Sequence, residues 1–218
     1  MSDVSRTPSA PTSPATVPGS PSVLPAHAEG HWARYNARQA DREVRATCRH
    51  AMELAGPGAS RAAVDLGCGA GRETRALLEA GWQVTAYDSE PTMLSAVDRA
   101  HPSLTAHRLG FEEIAELPPA DLIYAGYALP FQDRASFDRL WTLIRTSLRP
   151  GGRLAVDVFG VHDSWAATPW MTFLTAAEAA SLADGLTVEH WHEQDEPGPA
   201  FSGLKHWHVF ELIARRPL

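Results

Sequence analysis

AVDLGCGAGRET, residues 63–74, is the stretch that decides the fold. Residues 62–67 form a short apolar run of strand type, and GRETRALLEA (71–80) has helical spacing closed by Gly81. Between them Gly67, Gly69 and Gly71 supply a sharp turn to which a ligand can approach the main chain. In parallel α/β sheets ligands gather at the carboxyl ends of the strands, where this turn falls.

The alternation continues outward. WQVTAYD (82–88) reads as a strand and PTMLSAVDRA (91–100) as a helix with proline in its first turn. Strands follow at 104–109 and 121–129. A helix carries Phe137, Leu140, Trp141, Ile144 and Leu148 on one face and stops at Pro150-Gly151-Gly152. RLAVDVFG (153–160) is the next strand. Thr175 and Glu178 have capping-box spacing and open a helix that Gly185 ends. LTVEHWH (186–192) and LKHWHVFELIA (204–214) are the last strands, joined by a short Pro/Gly-rich loop and therefore antiparallel. Upstream, residues 29–56 are helical in two pieces, with Val44, Cys48 and Met52 four apart. The expected architecture is α/β: a Rossmann-like, seven-stranded, mostly parallel sheet with helices on both faces and an antiparallel last strand. Residues 1–28, with prolines at 8, 11, 14, 18, 21 and 25, are expected to be a disordered tail ahead of a domain over 29–218.

The turn has the spacing GxGxG. The dinucleotide pattern GxGxxG fails in both registers, because Arg72 and Thr74 stand at the third glycine position. Asp65 precedes the turn, and Asp88 ends the second strand, 21 residues after Gly67. A carboxylate at Asp88 suits ribose hydroxyls. Asp65 would repel a pyrophosphate but attract the ammonium and sulfonium of S-adenosylmethionine, by a few kcal/mol at most at an effective dielectric of about 20. DLGCGAG (65–71), VTAYD (84–88) and LRPGG (148–152) together resemble the motifs of the class I S-adenosylmethionine-dependent methyltransferases, over about residues 30–217. The DLGCGAGR start is similar to that of the tellurite-resistance and related small-molecule methyltransferases. The resemblance implies S-adenosyl-L-methionine as cofactor. It implies that Gly67, Cys68, Gly69 and Gly71 hold the methionine and ribose portions. Asp65 is implied to orient the amino group and Asp88 to take the ribose. Ser89 and Glu90 would border the adenine, with Glu112 reaching its amine and Ala125 and Gly126 lying near the sulfonium. Trp32 and Tyr35 would close over the ligand, although spacing of three equally fits a stripe packed on the domain.

Methyl transfer needs an aligned acceptor, a dry site and in some cases a base. The acceptor edge is expected to carry Tyr127, Trp165, Lys205 and His208, with His162 or His206 as a proton acceptor or as a group binding an acidic substrate; each histidine also reads as a surface or structural residue. His206 and His208 share one strand face, and Lys205 and Trp207 the other. His190 and His192 also share a face. A metal held by four strand histidines is weighed and set aside, so no metal is expected. Cys68 is read as a small filler. The segment between Gly160 and Thr175, with Trp165 and Trp170, is read as a lid or as a core cover.

A net charge of −7 argues against a phosphate-gripping protein. The two cysteines, Cys48 and Cys68, form no metal or disulfide pattern. No apolar run has membrane-spanning length, and the start lacks a secretory pattern, so a cytoplasmic enzyme is expected. Its partner would be a small-molecule methyl acceptor rather than nucleic acid or membrane; the pattern says nothing of oligomeric state. Two readings stay beside it: a non-catalytic S-adenosylmethionine- or S-adenosylhomocysteine-binding protein, and a nicotinamide oxidoreductase, which the broken GxGxxG opposes.

Overall fold

A computed structural model describes residues 30–201 and 203–218. The expected tail at 1–28 lies outside the described residues. The elements are α1 (His31–Gln39), α2 (Ala46–Ala55), β1 (Ala62–Leu66), α3 (Arg72–Glu79), β2 (Gln83–Tyr87), β3 (Leu104–His107), a single 3-10 turn (Phe111–Glu113), β4 (Ala120–Ala125), α4 (Arg134–Ser147), β5 (Leu148–Phe159), α5 (Ala176–Ser181), β6 (Thr187–Ala200) and β7 (Gly203–Arg215).

The seven strands lie in the order β3-β2-β1-β4-β5-β7-β6. The first five run parallel, and β7 pairs antiparallel with both β5 and β6. Strand side chains alternate between two cores, as a period of two requires. Val64, Leu66, Ile123, Val156 and Phe210 pack under α4 and α5, whereas Ala63, Val84, Leu122, Ala155 and Ile213 face α2 and α3. The Thr175–Glu178 capping box forms as its spacing predicts. Among the described residues no helix is long and apolar enough to cross a membrane.

Two expectations are corrected. Residues 91–100 are turns rather than a helix. The amides of Leu94 and Ala96 donate to the carbonyls of Gly69 and Ala70 (2.8 and 2.9 Å), so they are unavailable to a helical ladder. Leu94 takes a left-handed φ of 59° to do this. The same docking explains Gly71: a Cβ there would stand 2.5 Å from Val97 Cγ2. The second correction concerns the Pro/Gly-rich loop after residue 192. It is strand: β6 continues through Pro197, Gly198 and Pro199 to Ala200, which pairs with Gly203. Proline is tolerated because β6 is the sheet edge.

Candidate active site

A cavity of about 730 Å3 opens at the carboxyl ends of β1, β2, β4 and β5, beneath α1 and the tip of the β6–β7 hairpin. That size is typical of small-molecule sites, about 300–1,000 Å3.

Its inner half is built on the glycine turn. Gly67, Gly69 and Gly71 all have positive φ (73°, 49° and 90°), which glycine adopts without steric cost. The amides of Gly67 and Cys68 both donate to the Tyr87 carbonyl (2.8 and 3.0 Å), pinning the turn to β2. Asp88 is set by two more amides: Gly69 N donates to Oδ2 (2.8 Å) and Glu90 N to Oδ1 (2.9 Å). An ionised carboxylate has about four acceptor sites, so these amides leave capacity for a ligand. Asp65 is buried under the turn and accepts from Thr74 Oγ1 (2.6 Å). Burial pushes its carboxyl up to about 7, against the Thr74 bond. Burial also raises the Cys68 thiol, which makes it a poor nucleophile and fits the filler role. Glu112 borders this half and lies against Gly110, where a Cβ would meet its Oε1 at 2.5 Å.

The outer half is aromatic. Trp32 and Tyr35 of α1 face it; Trp32 packs on Phe131 (4.9 Å between ring centres) and both Tyr35 and His31 meet Phe201 at the hairpin tip (5.8 and 5.5 Å). Tyr127 is held at a φ of 53°, a strained value for a tyrosine, and projects into the cavity below the Arg45 guanidinium, 4.4 Å from its ring centre. Phe159, Trp165 and Trp207 form the far wall. Behind that wall lies the Lys205 ammonium, 3.4 Å from the Trp165 ring centre and 3.8 Å from that of Trp207, and bonded to Asp163 at 2.5 Å. Burial draws the Lys205 pKa down to about 8, with Asp163 opposing the shift.

A third group ties α1, α2 and α3 together. Arg42 donates to both oxygens of Glu73 (2.5 and 2.6 Å), and the Arg45 amide adds a bond of 3.0 Å. Arg45 also reaches the Tyr35 hydroxyl (3.1 Å). Tyr124, at the end of β4, lines the cavity with a buried hydroxyl that has no protein partner.

Of the predicted residues, Asp65, Gly67, Cys68, Gly69, Asp88, Ser89, Glu112, Tyr35, Tyr127 and Trp165 line the cavity. Gly71 and Ala125 support it from behind, through the docking of Val97 and the β1-side core. Lys205 stands behind the aromatic wall. His162, His206 and His208 are not lining residues. His162 and His206 instead converge on Asp195 (2.9 and 2.6 Å), and His208 meets Glu193 (3.0 Å). His162, Asp195 and His208 offer ligand atoms within 4.8 Å of one another. His208 Nδ1 already accepts from the His162 amide (3.0 Å), however, so a neutral ring there has no spare lone pair for a metal. Arg42, Arg45, Glu73, Phe111 and Phe159 also line the cavity and were not singled out from sequence. The pairings of Arg42 and Arg45 with Glu73 span 31 and 28 residues, which no local pattern reveals.

Residues 63–152 match a family model described as a methyltransferase domain. Trans-aconitate 2-methyltransferase of Klebsiella pneumoniae (strain 342) is 32% identical over 124 residues, 56% of this chain and 47% of that protein. An uncharacterized methyltransferase of Mycobacterium tuberculosis (strain ATCC 25618 / H37Rv) is 36% identical over 111 residues, 49% of this chain and 43% of its own length. The match thus spans about half the length of these curated relatives. Among solved structures, TehB from Haemophilus influenzae superposes with a TM-score of 0.67 at 13% identity, over 85% of this chain and 67% of that one. The 1,6-didemethyltoxoflavin-N1-methyltransferase of Burkholderia thailandensis, solved with S-adenosylhomocysteine, gives 0.60 at 21%, over 91% and 94%. At such identities the structures show the shared fold.

Proposed function

We propose that this chain, whose residues 63–152 match a methyltransferase-domain model, is a class I S-adenosylmethionine-dependent methyltransferase that passes the methyl group of S-adenosylmethionine to a small-molecule acceptor. The supporting observation is Asp88. Two backbone amides hold its carboxylate at the cavity, in the place where a ribose would present two neighbouring hydroxyls.

The rest of the inner half fits the same ligand. The face of Gly69 toward the cavity meets only Asn36 Oδ1 (3.1 Å) within reach of an added Cβ, so the main chain there is open to close approach. Asp65, Asp88, Glu90 and Glu112 make this half acidic, as a cationic adenosyl ligand requires. Bound there, S-adenosylmethionine supplies a methyl carbon activated by its positive sulfur. The chain's own contribution is positioning and exclusion of water. α1 and the hairpin tip cover the cavity, and the aromatic wall holds the acceptor for in-line attack. His162 and His206 lie outside the lining, so the proposal assigns them no proton transfer.

The test is calorimetry with S-adenosylhomocysteine, followed by a turnover screen across small acceptors. Saturable binding that Asp88→Ala weakens by about tenfold or more, the loss of one charged hydrogen bond, is the expected result. Absence of heat with either adenosyl ligand would overturn the reading. Binding without turnover on any acceptor would favour the non-catalytic binding protein.

A further inference from the structure

The two halves of the cavity carry opposite electrostatic character, and this bears on the acceptor. The inner half is acidic. In the outer half cations engage the aromatic wall: Arg45 lies over Tyr127, and Lys205 lies behind Phe159, Trp165 and Trp207 (5.1, 3.4 and 3.8 Å). A ring whose one face is engaged by a cation is less able to hold a second cation on the other, because the same quadrupole serves both. Lys205 is paired to Asp163, yet its ammonium is the end of that pair that meets the rings. Two carboxylates act on the Arg45 guanidinium, which lines the cavity: Asp157, whose fully buried carboxyl is pushed up to about 7, and Glu73, which is already engaged by two bonds from Arg42.

Resting on the methyltransferase reading, we infer that the acceptor is a planar aromatic or enolic anion, stacked on the Tyr127–Phe159–Trp165–Trp207 wall with its ionised oxygen toward Arg45. The step then balances without a protein base. A lone pair of the oxyanion forms the new C–O bond. The carbon–sulfur bond breaks with its electron pair going to sulfur, and anion and sulfonium become two neutral groups. No proton has to leave, so neither His162 nor His206, which both lie outside the cavity lining, is needed as a base.

The experiment uses the full chain saturated with S-adenosylhomocysteine, so that no turnover occurs. Four probes of related shape are titrated by calorimetry and tryptophan quenching: 2-naphthoate, 2-naphthalenemethanol, cyclohexanecarboxylate and benzyltrimethylammonium. The expected order places 2-naphthoate about tenfold or more ahead of the neutral and the non-aromatic probe, the scale of one charged hydrogen bond, with the cation weakest. Arg45→Met should cost 2-naphthoate its advantage over 2-naphthalenemethanol, read as the ratio of the two affinities, while Arg45→Lys retains much of it; circular dichroism checks that both variants fold. Equal or tighter binding of the cation would overturn the inference. So would an anion preference indifferent to Arg45→Met, or no probe binding while S-adenosylhomocysteine binds. Failure of S-adenosylhomocysteine itself would count against the parent reading instead.

Discussion

Replacing Lys205 by methionine keeps most of the side-chain volume and removes one charge. The carboxylate left behind, Asp163, has no solvent exposure, and Lys205 itself is only 4% exposed. An orphaned buried charge costs about 3–5 kcal/mol. The low end applies here, because Asp163 still accepts from the amides of Trp165 (3.0 Å) and His208 (3.3 Å). Loss of the contacts with the Trp165 and Trp207 rings adds about 1 kcal/mol. A total near 4 kcal/mol lowers the melting temperature of a chain this size by about 8–16 °C. The double variant Lys205→Met/Asp163→Asn removes both charges and should recover most of that loss. Calorimetric melting of wild type, single and double variants in matched buffer is the assay. A single variant within about 1 kcal/mol of wild type, or a double variant no better than the single, would refute an argument from orphaned charge. The pH dependence gives an independent check. The folded Lys205 pKa of about 8 lies below its usual 10.5, so between these values the unfolded chain binds more protons. Wild-type stability therefore gains over Lys205→Met as pH rises through that window, and the gap widens.

Three further outcomes are expected. Cationic ligand beside Asp65, whose carboxyl stands at about 7, should favour its ionised form and release a proton on binding. Binding heats at pH 7 will then differ between phosphate and Tris, affinity will rise from pH 6 to 8, and Asp65→Asn will abolish both effects. Glu73→Gln should cost about 2–3 kcal/mol at pH 7 in a urea titration, because it breaks the paired bonds from Arg42. Burial pushes the Glu73 carboxyl up, but the Arg42 bonds and charge and the Arg45 amide hold it below its usual 4.5, so the cost is full above that pH and fades as pH falls through the folded value. Gly67→Ala should weaken S-adenosylhomocysteine binding by about tenfold or more in calorimetry. Its Cβ would stand 2.4 Å from that of Ala128 at a φ of 73°, where the left-handed backbone alone costs about 1–2 kcal/mol.

The legible parts of this molecule are those decided by near neighbours in sequence. The turn at 67–71 could be read because a strand, three glycines and a helix follow one another within twelve residues, and Asp88 because the next strand has a definite end. PTMLSAVDRA looked helical because its own composition permits a helix; what prevents one is the carbonyls of Gly69 and Ala70, more than twenty residues away, which take the amides of Leu94 and Ala96. Period-two spacing correctly separated Lys205 and Trp207 from His206 and His208, but alternation does not say which face a ligand meets. Here Trp207 lines the cavity while His206 meets Asp195 outside it.

The hairpin shows the same limit from the other side. Pro197, Gly198 and Pro199 carry turn chemistry in sequence, yet on an edge strand the missing proline amides face no partner and cost nothing. Gly198 admits the Trp207 ring, since a Cβ there would lie 3.0 Å from Cδ1, and the Pro199 carbonyl accepts from the Trp207 indole (3.1 Å). Those residues extend the hairpin far enough for Phe201 to meet His31 and Tyr35 of α1. The roof of the cavity therefore depends on a strand whose composition disguises it. Shortening that strand should open the site without disturbing the acidic seat beneath.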